Sequence, residues 1–362
     1  NVTVSAGGVI KEDAKFGGIV GYFYSGTASH LKCEDCKNLG DITISGKLTS
    51  SSKLMEKGVQ IGGIMGRCQI TGSTDDVLAE ITSCSNLGDI TLDNADGSLY
   101  TFVGGINGVH SVMKTQLSDC ENTGNIVING GLSGTVFMGG ITGSVYRAAN
   151  SNSIYSNCTN AGRIALYDAS STNEVAAGGI IGNASGIKDK AMTLRVENCS
   201  NAGAIDRLTT KNSNSCNSYA GGIIGVVGRR HQTTKEGYVT VALKDCANSA
   251  DIIFNQFTGF DTFSEQNQNY SFTGGIIGCS LAENGAVEVV CCSNSGNMLS
   301  TSGQHAGIVG FAHSSTTIKG QRNSDGIVQY TVNTGNICEL PSSSTGSSYC
   351  IAGGIVGYMK SH

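Results

Sequence analysis

Two short motifs alternate along this chain, and only a fold with a matching internal period can accommodate them. The first is Gly-Gly-Ile-x-Gly, at 17–21, 62–66, 104–108, 139–143, 178–182, 221–225, 274–278 and 353–357, with a ninth copy at 306–310 in which Ala306 replaces the first Gly. From Gly17 to Gly353 there are 336 residues over eight intervals, a mean of 42. The second motif, Cys-x-Asn-x-Gly-x-Ile, lies between successive copies of the first, at 36–42, 84–90, 120–126, 158–164 and 199–205. Looser copies follow at 246–252 (Ala250 for Gly), 292–298 (Met298 for Ile) and 331–337 (Thr331 for Cys). All eight copies keep the Asn: Asn38, Asn86, Asn122, Asn160, Asn201, Asn248, Asn294 and Asn333.

The local chemistry of both motifs is that of strands and turns. Asp41-Ile42-Thr43-Ile44, Asp89-Ile90-Thr91-Leu92 and Asn125-Ile126-Val127-Ile128 have the period of two of a strand with one buried face. Asn-x-Gly before each strand is expected to supply a turn with positive φ, which Asn and Gly tolerate. The Ser/Thr/Asn/Gly-rich stretches, such as 49–52 and 342–348, read as exposed connections. No segment carries a sustained helical period. One 42-residue unit is too small to bury its own apolar face, so the units must stack. Stacking aligns Ile19, Ile64, Ile106, Ile141, Ile180, Ile223, Ile276, Ile308 and Ile355 into one ladder, each worth roughly 1.5–3 kcal/mol when buried.

The expected fold is therefore all-β: a repeat solenoid, a right-handed parallel β-helix of about eight 42-residue units forming one domain over 1–362. Both motifs contain Gly-x-Ile, which suggests two coils of about 21 residues per unit and a rod of roughly 80 Å. Only ten residues separate Met298 from Ile308, however, too few for a full coil, which instead suggests two motifs on different faces rather than in one column. The sequence leaves the number of coils per unit open.

Composition narrows the function classes. With 52 Gly, one Pro, no G-X-Y period and 39% apolar residues, the chain is neither collagen-like nor disordered. The net charge of −5 is thinly spread, and the longest basic run is Arg229-Arg230-His231, so nucleic-acid binding has no electrostatic footprint. No apolar stretch reaches the ~18 residues of a membrane-spanning helix.

The pairing of Gly-Gly-Ile-Val-Gly with Cys-x-Asn-x-Gly-x-Ile, over residues 17–357, resembles the GLUG-type repeats of bacterial surface proteins. Such repeats occur in the N-terminal regions of IgA peptidases and in large secreted or anchored proteins, including those of gut bacteria. Two details depart from the GLUG pattern: the Cys precedes the Asn, and most copies lack its aromatic residue. The resemblance implies an extracellular β-helical stalk or adhesin-like segment of a longer surface protein. It transfers no catalytic residue, because the family motif is structural.

A search for chemistry gives few candidates. Cys36, Cys84, Cys120, Cys158, Cys199, Cys246 and Cys292 share one repeat position and read as a ladder of buried thiols. Spaced along a rod, they would not converge on a metal. Cys33-Glu-Asp-Cys36 is a CxxC without the second pair of a zinc ribbon. Adjacent Cys291 and Cys292 cannot both face the core of one strand. Cys68, Cys216, Cys279, Cys338 and Cys350 fall outside the column and leave room for an isolated disulfide. The six His read as exposed loop residues. Asp41 and Asp89 share the position after the repeat Gly, but the column breaks at Asn125, Arg163 and Ala204, so a solvent-facing turn is favoured over an acid pair.

The interval from Gly221 to Gly274 is the longest, at 53 residues, and irregular insertions are expected across 226–272. Candidate ligand-binding residues there are Arg229, Arg230, Phe257, Phe260, Asp261, Phe263 and Tyr270, whose rings and polar groups suit stacking on a sugar. Phe254 and Phe272 flank them. The function expected is a non-catalytic cell-surface or secreted solenoid that acts as stalk, adhesin or glycan/protein-binding module. It would be monomeric, with a surface glycan or protein as partner and with no cofactor, metal or nucleic acid. The alternative is a carbohydrate-active β-helix enzyme, a polysaccharide lyase or glycoside hydrolase, which needs clustered carboxylates.

Overall fold

The computed structural model of the chain describes residues 2–10, 13–26, 29–48, 58–71, 78–96, 100–130, 132, 134–147, 151–167, 174–186, 190–208, 217–228, 238–254, 271–281, 285–300, 303–313, 315–339 and 350–360. Every regular element among them is a strand. Each 42-residue unit is one coil, not two. The second unit shows the plan, with strands at Ile42–Leu48, Val59–Gly62, Met65–Ile70, Leu78–Thr82 and Ser85–Asn86. Each of the five pairs in parallel with its equivalents in the neighbouring units. The result is five parallel sheets, numbered here one to five in chain order within the coil: the first three have nine strands and the last two have eight. Eight spacings of ~4.8 Å make a stack roughly 40 Å tall, half the height that two coils per unit would give.

The Gly-x-Ile shared by the two motifs misleads because the motifs face one another within a single coil. In each of eight rungs, a Cβ added to the second Gly of Gly-Gly-Ile would run into the side chain of that rung's motif Asn, from Gly18 against Asn38 to Gly307 against Asn333. This contact pinches the coil into two apolar lobes. One holds the Gly-Gly-Ile isoleucines with the inward residues of sheets three and four and the Cys column. The other holds Ile42, Ile90, Ile126, Ile164, Ile205 and Ile252 with the inward residues of sheets one and two. Within the nine-residue ladder, Ile64 through Ile308 are fully buried. Ile19 and Ile355, in the end rungs, are 50% and 39% exposed. A third apolar cluster of Phe102, Phe137, Tyr219, Phe272 and Phe311 lies on the second and third sheets away from these lobes. Both faces of those sheets are thus buried in the middle rungs.

The motif Asn does something other than turn the chain. It lies in the short fifth-sheet strand, and each Nδ2 donates to the carbonyl of the residue two ahead, as Asn86 does to Gly88 at 2.9 Å. It also donates to Oδ1 of the next rung's Asn. Seven such bonds of 2.7–2.8 Å run unbroken from Asn38 to Asn333. Positive φ falls elsewhere, on the residue just before the Cys: Asp35, Ser83, Asp119, Asn157, Asn198, Asp245 and Cys291. Asp, Asn and Ser carry short polar side chains, and Asp and Asn tolerate this left-handed corner best among non-Gly residues. The corner also explains the adjacent cysteines. Cys291 occupies it, so both Cys291 and Cys292 are buried without sharing a strand.

The Cys column is a buried ladder, with Cys36 half-buried and the other six fully enclosed. Its thiols donate to the carbonyl two residues before and, in several rungs, to one in the rung beneath, as Cys120 does to Ser118 at 3.3 Å and Ile81 at 3.5 Å. Cys68 and Cys279 are buried and Cys338 is exposed, and all twelve described cysteines are free thiols. Cys216 and the Cys350 side chain lie outside the described residues, as do 49–52 and 342–348.

Two histidines depart from the exposed-loop expectation: His110 and His305 are each 1% exposed. His30 is exposed and pairs with Glu80 at 2.9 Å. His110 faces the core in the same register column as Cys68, Val145, Ala184 and Val227. Among the described residues neither of its ring nitrogens has a hydrogen-bond partner. Burial pushes its pKa from 6.5 down to about 3, so the folded state holds the neutral ring. Because the unfolded chain takes up the proton first, the folded state keeps its full stability above pH 6.5 and loses it as pH falls toward 3. The loss is about 1.4 kcal/mol per unit of pH. Replacing His110 by Val, the residue of the next rung, is expected to remove this dependence. Urea unfolding should show the variant gaining about 3 kcal/mol over wild type at pH 4 relative to pH 7. An unchanged pH profile would contradict this account of His110.

Candidate functional site

The fourth sheet presents the polar face of the solenoid. Ala191–Glu197 alternates cleanly, with Met192, Leu194 and Val196 inward and Thr193, Arg195 and Glu197 outward. Tyr238–Lys244 repeats the alternation. Register then stacks Arg195, Ala242, Glu288 and Thr317 in one outward row, and Glu197, Lys244, Val290 and Lys319 in the next. Ala242 is short between two long side chains, and the surface sinks there into a groove of about 600 Å³. Its far wall is a hairpin, Gln321–Arg322 against Val328–Gln329, inserted at the corner between sheets four and five. That hairpin replaces the tight corner that the other rungs make with a single left-handed residue. Thr331 stands where those rungs have Cys, and its Oγ1 ties the hairpin's base to the Lys319 carbonyl at 2.7 Å.

Charge on this face is paired but accessible. Arg195 pairs with Glu197 and Lys319 with Glu288, each pair substantially exposed. Lys244 and Arg322 line the same groove and leave it with a surplus of two cations. Exposed pairs of this kind contribute at most about 1 kcal/mol, so their charges can be re-engaged by a ligand at little expense. The Asp41/Asp89 column is used structurally. Asp41 Oδ1 accepts the Asp89 N–H at 2.9 Å, and Asp89 Oδ1 accepts the Asn125 N–H at 2.7 Å. Asp251 serves Asn297 in the same way at 2.8 Å. These carboxylates cap the backbone of the next rung.

The first two rungs bring together three sulfurs, two from the Cys33-x-x-Cys36 corner and one from Cys84. The Sγ atoms of Cys33, Cys36 and Cys84 all lie within 4.8 Å of one another, and Cys33 and Cys84 are 3.8 Å apart. Cys33 occupies a column filled in later rungs by Ile81, Leu117, Tyr155, Val196, Leu243, Val289 and Ile318. The Cys84 thiol donates to the Thr82 carbonyl at 3.3 Å and meets Cys33 Sγ at 3.8 Å. Cys33 is pushed up, first by its hydrogen bond with Cys84 and then by burial. The reading of Cys33-x-x-Cys36 as an isolated CxxC missed this, because the third sulfur comes from the next rung, 48 residues beyond Cys36.

Arg229, Arg230, Phe257, Phe260, Asp261, Phe263 and Tyr270 all lie outside the described residues. Within the interval 226–272, Tyr238–Phe254 forms three regular strands. The two flanking aromatics are core residues. Phe254 is fully buried, and Phe272 stacks on Tyr219 with ring centroids 6.0 Å apart. Among the described residues no helix is long and apolar enough to cross a membrane.

Fold and face together define a parallel β-solenoid of single-coil, five-strand repeats. Comparison with known protein families, with curated proteins and with solved structures finds no match.

Proposed function

We propose that this chain is a non-catalytic module of a bacterial cell-surface or secreted protein, related to GLUG-type repeats, which holds out a binding face for a glycan or protein. The observation that carries the reading is the outward face of the fourth sheet: an ordered, polar, solvent-accessible surface that ends in the hairpin-walled groove. Its carboxylates support a binding role over a catalytic one. Glu197 and Glu288 are each paired with a cation and Glu80 with the His30 ring, and elsewhere on the coil Asp41, Asp89 and Asp251 accept backbone N–H groups. Stacked rungs buried on both faces of two sheets suit a stiff spacer that keeps such a face in register.

Glycan-array and surface-protein binding of the full chain tests this, with Lys244→Glu and a deletion of 255–270 run alongside wild type. Reversing a groove charge is expected to weaken binding roughly tenfold with the melting temperature unchanged. Loss on the deletion alone would move the site to the 255–270 segment. Release of sugar products from any bound polysaccharide would overturn the non-catalytic reading.

A further inference from the structure

We propose that Cys33, Cys36 and Cys84 form a binding site for one zinc-type divalent cation at the first rung, held by three thiolates with a fourth position open to water. Three observations carry this. First, the sulfurs already stand at nearly the right distances. Zinc–sulfur bonds of ~2.3 Å in a tetrahedron put sulfurs about 3.8 Å apart, and Cys33 and Cys84 are separated by 3.8 Å with Cys36 inside the same 4.8 Å cluster. Second, the cluster breaks the repeat at one place. The first rung places Cys33 in a position that seven other rungs fill with a large apolar side chain. A thiol is a poor replacement for those side chains as packing but a good soft ligand. Third, access is graded: Cys33 and Cys84 are buried, while Cys36 is half-buried and opens the cluster to solvent.

Binding would release the thiol protons to solvent as the thiolates coordinate. The site would then tie the Cys33–Cys36 corner of the first rung to the Cys84 corner of the second. A cross-rung staple of this kind would add to the stability of the two rungs it joins, since each rung is held only by its neighbours.

Cobalt(II) added to the fully reduced 362-residue chain is the test, with zinc as competitor. The expected result is one equivalent bound, with thiolate-to-cobalt charge transfer in the ultraviolet and the intense visible bands of tetrahedral cobalt. Cys33→Ile restores the side chain found at Ile81 in the next rung, and circular dichroism will report whether it folds. It is expected to lower cobalt affinity at least a hundredfold, because even outer-shell partners of a metal are worth roughly 10–100-fold. Cys36→Ser should weaken binding and shift the charge-transfer band, and Cys158→Val, mid-column, should leave both unchanged. With zinc bound, hydrogen exchange at 33–36 and 84–86 should slow in wild type and not in Cys33→Ile. A reduced protein that binds no cobalt, a spectrum that survives Cys33→Ile, or octahedral binding at several equivalents would each overturn the proposal. So would a disulfide between any two of the three cysteines that persists in protein isolated without oxidant.

Discussion

Gly179→Ala is expected to destabilise the solenoid by about 3–5 kcal/mol, although it adds a single methyl group. A Cβ at Gly179 meets the Gly222 carbonyl oxygen in the next rung and the Asn201 side chain across the waist of the same coil, in both cases far closer than 3.0 Å. Neither neighbour is free to retreat. The carbonyl belongs to the stacked backbone, and Asn201 is held by its bonds to Gly203 at 3.0 Å and Asn248 at 2.8 Å. Relief therefore requires parting two rungs or breaking the Asn ladder. Urea unfolding measures the loss. Hydrogen exchange should place the weakened region in the rungs around 179, because repeat stability is a sum of nearest-neighbour terms. In a double-mutant cycle, Asn201→Ala should recover only part of the loss, since the backbone contact remains. An alanine variant with the wild-type midpoint would show that the waist is looser than these contacts imply.

Asn160→Asp is the second large effect, and pH should reveal its cause. Asn160 is 1% exposed, accepts from Asn122 at 2.8 Å, and donates to Gly162 at 2.9 Å and Asn201 at 2.8 Å. A carboxylate of the same shape keeps the acceptor but loses both donors, faces the Gly162 and Asn201 oxygens, and carries a buried charge. A loss of about 4 kcal/mol or more is expected at pH 7. The buried acid is easier to keep neutral than ionised, so its folded pKa lies above the ~3.9 of the unfolded chain. The folded state thus holds the proton more tightly, and the variant's deficit should shrink as pH falls toward 4 and grow as pH rises. Measured denaturation midpoints for Asn160→Asp and wild type between pH 4 and pH 8 check the sign. A deficit independent of pH would mean that the position is solvated.

Gly179 and Asn160 belong to the two motifs, whose local chemistry is legible in the sequence but whose meeting is not. The strand character of Ile42-Thr43-Ile44 and its equivalents follows from alternation alone, and the parallel stack follows from a unit too small to bury its own apolar face. The burial of the Ile and Cys columns could likewise be read from recurrence. The purpose of the motif Asn could not. From sequence it looked like a turn former, because Asn and Gly share that role in isolated chains. In the stack, each Asn has a partner above and below, and a side-chain ladder becomes available that no single repeat can express.

The amino-acid sequence by itself determined the period, the all-β class and the columns that stack, because these depend on local propensity and on burial repeated at fixed spacing. The tertiary structure alone decided that one unit makes one coil and that the two motifs meet across a waist. It also decided that His110 lies buried in a core column, that a hairpin walls a groove on the fourth sheet, and that Cys84 joins Cys33 and Cys36. All of these arise from contacts between rungs or across one coil, between residues that are often tens of positions apart. Spacing along the chain carries no direct trace of such contacts. It says which side chains repeat, whereas closure of the coil determines which of them meet.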